Sequence, residues 1–301
     1  MSTAPEQIIL ESQLPFVPEV EPESLIVAQD KTAKAFNKPK YFSDKMASGG
    51  FAPELTIIPA GLFEMGSTPN EHGHHQQEAP QHYVAIRQPF AIGRYAVTAE
   101  QFEAFRSATQ WYLRDDLLWS KGNKPVMNIR IADAKLFLKW LSDETGEIYR
   151  LPRESEWEYA TRAGSTTPFH FGEEVSCKQI HFDSLSPYQD SDKKKWFMPR
   201  CFPMPVSVEV GSKPANLWGL HEVHGNVWEY TESLWTPSHL NANRDGSADK
   251  HNHSAWYVTK GGSWFDGAVY ARSAARKKRF FDEMDTNLGF RVLRELGEVQ
   301  L

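Results

Sequence analysis

Residues 219–230, reading GLHEVHGNVWEY, constrain the fold more than any other stretch, because their order suits neither a helix nor an ordinary strand. Gly225 and Asn226 form a turn pair, and the acids Glu222 and Glu229 flank it. A backbone turned in this way presents carbonyl oxygens beside carboxylates, which is the donor set of a hard cation such as calcium. Beyond the turn, Trp228 and Tyr230 alternate with Val227 and Glu229, predicting a short strand with one aromatic face and one ligand face. The plainer alternative is a hairpin whose two acids are merely solvated.

Three further segments complete a pattern. Residues 57–67 (IIPAGLFEMGS) open it, residues 150–164 (RLPRESEWEYATRAG) continue it, and residues 260–264 (KGGSW) with 287–291 (NLGFR) close it. Together with residues 219–230 they resemble the sulfatase-modifying-factor family, whose founding activity is the formylglycine-generating enzyme. The resemblance runs over residues 53–294 and implies a single α+β domain, a variant of the C-type lectin fold, with low regular content and long ion-pinned loops.

Composition sets the outer bounds. At 301 residues, 40% hydrophobic and 13% aromatic, the chain holds ample material for a core, and its ten tryptophans point to one built on large rings. A net charge of −6 gives no support to a nucleic-acid surface. No apolar run approaches the roughly 20 residues that span a bilayer, and the N-terminus lacks a signal-peptide pattern, so a cytoplasmic, membrane-free protein is expected. Cys177 and Cys201 lack zinc-like spacing; they read as ordinary thiols, or as a bridge if the fold brings them together.

Along the chain, residues 1–30 contain six acids and no Lys or Arg, and residues 31–45 reverse the sign with five lysines. Residues 1–50 are therefore expected to be a flexible tail and linker before a domain at 53–301. Strands are predicted at 55–58 and 63–65, answered by 83–86 and 90–92. Thr98 with Gln101 has the spacing of a capping box. A second helix is predicted from Ile131, burying Ala134, Phe137, Leu138 and Leu141 and stopping at Gly146. A third places Trp157 and Ala160 inward and pairs Glu158 with Arg162. Residues 173–195 and 236–254 read as long loops, of the kind that build a site.

The resemblance also implies where chemistry resides. Formylglycine-forming members carry two cysteines after the Gly-Gly-Ser motif, which bind copper(I) and engage the substrate thiol. Here the first position is Asp266 and the second falls within residues 269–271, none of them cysteine. A carboxylate does not replace a soft thiolate, so formylglycine formation is not expected. For structural calcium the resemblance carries over to Glu222 and Glu229 through side chains and to Gly225 and Val227 through carbonyls. A second calcium site would lie near residues 181–183, where His181 is a poor ligand for a hard cation. His72, His74 and His75 form a candidate for a second, transition metal, or simply a solvated loop. His221 and His224 either face a cavity or cap local carbonyls.

In the resembling fold the segment 265–285 lines the ligand face, so Trp264, Phe265, Asp266, Tyr270, Arg272, Arg276 and Phe280 are the candidate ligand-binding residues. Arg272 and Arg276 have an alternative reading as internal partners of core acids such as Glu154 or Glu229, leaving Lys277 to Arg279 as surface charge. The function this supports is recognition of a peptide, protein or small-molecule ligand, with calcium as a structural ion. The alternatives are a metal-dependent oxidase, oxygenase or maturation factor, and a ligand-display variable protein of a diversity-generating retroelement.

Overall fold

The computed structural model describes residues 14–112, 120–189, 205–247 and 253–297. The elements in chain order are helix α1 (Pro22–Ala35) and strands β1 (Tyr41–Phe42), β2 (Leu55–Ile58), β3 (Gly61–Met65), β4 (His82–Ile86) and β5 (Phe90–Gly93). Then come α2 (Ala99–Thr109), α3 (Ile131–Thr145), β6 (Tyr149–Arg150) and α4 (Glu154–Arg162). Strands β7 (Trp228–Leu234), β8 (Trp256–Lys260), β9 (Arg276–Phe280), β10 (Leu288–Phe290) and β11 (Leu293–Glu295) follow. The architecture is the expected α+β domain of low regular content.

One sheet has the order β1-β2-β5-β11-β6 and is antiparallel throughout; the second has the order β10-β7-β8-β9, with β10 parallel to β7. Strands β3 and β4 form a separate hairpin that pairs Phe63 with Val84. Strand β2 reads Leu-Thr-Ile-Ile with every residue buried, because α1 covers one side and the aromatic core the other. The capping box forms as its spacing predicts: the Thr98 amide donates to Gln101 Oε1 (3.0 Å) and the Gln101 amide to Thr98 Oγ1 (3.2 Å). Helix α3 ends at Gly146, whose φ of 73° is left-handed and favours glycine. Phe102, Phe105, Phe137 and Phe290 pack ring against ring between these helices and β10.

The expectation of a flexible N-terminal tail is corrected over its described part; residues 1–13 lie outside the described residues. Helix α1 starts on Pro22, which suits the first helical turn, and buries Leu25, Gln29 and Ala33 at helical spacing. Gln29 is fully buried, and its amide nitrogen donates to Thr56 Oγ1 (3.0 Å), Ile57 O (2.8 Å) and Trp218 O (3.1 Å). Upstream, the Leu62 amide donates to Pro15 O, and Val17 is buried in the core. The lysine-rich stretch also docks on the body: Lys38 pairs with Asp44 at 3.0 Å, and Tyr41–Phe42 pairs with β2. Composition misjudged this region because its apolar stripe is narrow, and a hydrogen-bonded glutamine holds its centre.

Replacing Gln29 with Ala should therefore cost about 1–3 kcal/mol, the range for leaving buried hydrogen-bond partners unpaired. Urea unfolding of the Q29A variant reads this directly; an unchanged midpoint would mean that α1 contributes nothing to the domain.

Candidate functional site

Strand β7 leaves the 219–230 segment carrying Trp228, Glu229 and Tyr230, all buried, so neither face of the strand is free. Glu229 lies on the interior side. Its Oε1 accepts from Arg291 Nη2 (2.8 Å), and its Oε2 accepts from Arg291 Nε (3.0 Å) and Trp157 Nε1 (2.7 Å). Arg291 also donates to Gly93 O and His221 O, both at 2.8 Å. Glu222 points elsewhere: its carboxylate accepts from the backbone amides of Gly211 (2.8 Å) and Lys213 (2.7 Å). Asn226 exchanges hydrogen bonds with the backbone of Val208, and Gly225 donates to Gly261 O.

Of the expected calcium ligands Glu222, Gly225, Val227 and Glu229, the two carboxylates are thus engaged separately, Glu222 by the 211–213 backbone and Glu229 by Arg291 and Trp157. The two carboxylates do not converge, and a cation at Glu229 would displace a guanidinium that already neutralises it. His181, in the second expected calcium region, spends its Nε2 on Val206 O (2.7 Å), while its backbone carbonyl accepts from the Asn226 amide.

The ligand-face residues divide into three groups. Asp266 sits at the first cysteine position of the family motif. Its Oδ2 accepts from Trp228 Nε1 (2.8 Å), from Ser263 Oγ in a short hydrogen bond and, more distantly, from Asn287 Nδ2 (3.5 Å). Lys277 Nζ stands 3.5 Å from Oδ1 and 5.4 Å from the Trp228 ring centroid. Gly262 makes this close folding possible: its φ is 73°, and a Cβ there would meet Ala271 Cα and Tyr270 O at 2.8 Å. Phe265, 68% exposed, projects from this turn edge-on to Trp264, and Tyr270 is exposed on the short turn Ala268–Ala271 that follows.

Arg272 and Arg276, the second group, are withdrawn from the surface. Arg272 is fully buried and pairs with both oxygens of Glu78 (2.8 and 2.9 Å) and with Glu71 Oε1 (2.5 Å). Arg276 donates to Glu154 Oε2 at 2.8 Å. They are core ion-pair residues, as the internal reading has it, with Glu154, one of the two acids it names, as the partner of Arg276. Arg279 is corrected as well: it is buried against Glu283, Asp285 and Asn287, so only Lys277 and Lys278 of that run reach the surface. The third group is a separate patch, with Phe280 packed between Trp256 (5.1 Å) and Phe281 (4.6 Å).

Copper(I), the ion of the family's cysteine pair, does not fit here either. Asp266 offers hard oxygen already engaged by donors, and positions 269–271 are Val269, Tyr270 and Ala271. Cys177 is disulfide-bonded rather than an ordinary thiol, and the other cysteine, Cys201, lies outside the described residues. No helix among the described residues is long and apolar enough to cross a membrane.

Of the candidate histidines, His74 Nδ1 lies 2.8 Å from Ser67 Oγ and His72 stacks edge-on against Tyr188. Among the described residues no three His, Cys, Asp or Glu side chains are disposed to hold a metal. His221 and His224 cap carbonyls, of Lys213 (2.8 Å) and Ala271 (2.7 Å) respectively. Sequence reasoning missed the acids that hold this half together: Glu71 and Glu78 partner Arg272 from about 200 residues away, and no local pattern marks such pairs.

Burial of the His170–His224 stack, ring centroids 5.2 Å apart, makes the protonated imidazole costly. It pushes His170 down to about 4 and His224 well below its ordinary value of 6.5. Both folded values lie below the unfolded ones, so the unfolded chain binds more protons in between. Stability should be fully present above pH 6.5 and fall as pH drops towards about 4. Denaturant titrations across this range should show the slope, and His170→Asn should flatten it; a pH-independent midpoint would contradict the neutral pair. Excess EGTA, in turn, should leave the melting temperature unchanged, because Arg291 already supplies the positive charge at Glu229. A calcium-dependent rise in melting temperature would overturn that reading.

Comparison with known proteins bears on family and fold. The family model for the sulfatase-modifying factor enzyme 1-like domain matches residues 43–296. A formylglycine-generating enzyme of Mycobacterium tuberculosis is 26% identical over 80% of this chain and 97% of its own length. The structure of PvdO from Pseudomonas aeruginosa aligns with a TM-score of 0.72 and 31% identity, covering 86% of this chain and 99% of that one. Treponema denticola variable protein 1 shares the fold alone, with a TM-score of 0.63 at 18% identity over 86% of this chain and all of that one. With the motifs in order and the family model covering most of its length, the chain belongs to the sulfatase-modifying factor enzyme 1-like domain family.

Proposed function

We propose that the chain is a non-copper member of its family that recognises an extended peptide on the face carrying Trp264, Phe265, Asp266, Tyr270 and Lys277. One observation carries this reading: the motif position that would hold a thiolate holds Asp266, a carboxylate fixed by Trp228, Ser263 and Asn287. A carboxylate so engaged neither binds copper(I) nor exchanges with a substrate thiol. The surroundings suit binding instead. Phe265 and Tyr270 offer exposed ring area on a rigid turn, an inexpensive source of contact because few torsions are lost on binding. Lys277, 40% exposed, supplies positive charge at Asp266 and the Trp228 ring, matching a peptide with acidic and apolar side chains.

The test is an acidic, aromatic peptide array followed by fluorescence polarisation on the best binder. Phe265→Ala and Lys277→Ala should each weaken binding about tenfold, equivalent to roughly 1.4 kcal/mol, at unchanged melting temperature. Incubation with a cysteine-containing sulfatase peptide should yield no aldehyde by mass spectrometry. Aldehyde formation, or binding indifferent to both substitutions, would refute the proposal.

A further inference from the structure

A cavity of about 380 Å³ lies away from that face, between the β3–β4 hairpin, the start of α4 and residues 233–247. Met65, Val84, Leu234 and Leu240 give it apolar walls, and three titratable side chains face it: His82, Glu154 and His239. Glu154 and His239 are more than nine-tenths buried. Yet Glu154 Oε1, both ring nitrogens of His239 and Nε2 of His82 have no hydrogen-bond partner. Buried polar atoms left unpaired cost about 1–3 kcal/mol each, so their convergence on one cavity marks a place where a ligand completes the set.

Their chemistry specifies the ligand. His82 Nδ1 faces Pro80 O at 3.1 Å and must donate to it, which leaves Nε2 as a bare acceptor. Glu154 Oε1 is a second acceptor, because its partner oxygen Oε2 is the one held by Arg276. His239 Nε2 stands 3.7 Å from Glu154 Oε1, too far for a direct hydrogen bond but bridgeable by one small polar group. In neutral form its ring supplies one donor and one acceptor.

A cationic occupant is disfavoured. Arg276 and Lys260 already stand 2.8 and 4.0 Å from the Glu154 carboxylate, and a third positive charge would be repelled. The buried acids Glu71, Glu78, Glu154 and Glu158 are answered by Arg162, Lys260, Arg272 and Arg276, so formal charge in this interior network cancels without a ligand. A metal is disfavoured too, since the three side chains are not disposed around one point. An anion would meet Glu154 directly.

We infer that this cavity binds a small, uncharged molecule with adjacent hydroxyl groups. One hydroxyl bridges Glu154 Oε1 and His239, the next donates to His82 Nε2, and the carbon skeleton packs on Met65, Val84, Leu234 and Leu240.

The experiment follows the imidazole resonances of His82 and His239 by NMR in the full chain. The probes are 1,2-propanediol and a panel of pyranose monosaccharides, with methylammonium chloride, sodium acetate and zinc chloride as charged controls. Expected are saturable shifts of both rings with at least one hydroxylated probe, and none with the three controls. Which arm saturates separates a simple diol from a sugar. Ala242→Phe fills the cavity from its exposed rim without touching the ion pairs, and should weaken that binding about tenfold, or roughly 1.4 kcal/mol. Phe265→Ala, on the peptide face, should leave it unchanged. Absence of a saturable shift with every hydroxylated probe, tighter binding of a charged control, or equal affinity in the A242F variant would each overturn the inference.

Discussion

The pairing of Glu229 with Arg291 is the interaction on which the rest of the structure depends. It joins β7 to the turn after β10, and through its further donors it reaches the end of β5 at Gly93, the loop at His221 and helix α4 at Trp157. Two buried charges are costly alone, and here each satisfies the other in a forked geometry while the remaining valences go to the indole and to backbone carbonyls. The loop-rich C-terminal half is thereby held by a guanidinium inside the protein. Flanking residues reinforce it: Glu222 gathers the 211–213 backbone, and Asn226 gathers Val208.

That internal frame explains how the molecule separates scaffold from surface within one short segment. Arg272, Arg276 and Arg279 turn inward onto acids of distant elements, while Phe265, Tyr270, Lys277 and Lys278 turn outward. Asp266 stands at the boundary between the two sets. Its carboxylate is fixed by Trp228 and Ser263, so it orders the turn that displays Phe265 and sets Lys277 beside the Trp228 ring. The hydrogen-bonded carboxylate makes this turn a rigid mount. A rigid mount suits the recognition proposed for this surface.

Much of this was legible in the sequence where the signal is local. The Thr98–Gln101 capping box, the apolar stripe of α3 with its glycine stop and the Glu158–Arg162 pair are all set by residues a few positions apart. The ordered motifs likewise carried the family and the fold. Helix α1 escaped notice because Gln29, a polar residue, occupies the middle of its buried stripe and gains its place only through partners on β2 and at Trp218. The role of Glu229 was misread for a related reason. An acid beside a Gly-Asn turn looks like an ion ligand until its partner, 62 residues further on, is brought against it. The Glu154, His82 and His239 cavity is assembled from three distant segments and has no signature in any of them.

A double-mutant cycle across Glu229 and Arg291 tests the central claim most directly. Glu229→Gln, Arg291→Met and the double variant would be compared with the parent by urea unfolding. Each single change should cost about 3–5 kcal/mol by stranding a buried charge or its partners, with the double variant recovering a large part of one penalty. Strictly additive losses would show that the two side chains are not coupled, and would contradict an internal ion pair as the element that holds this half of the fold together.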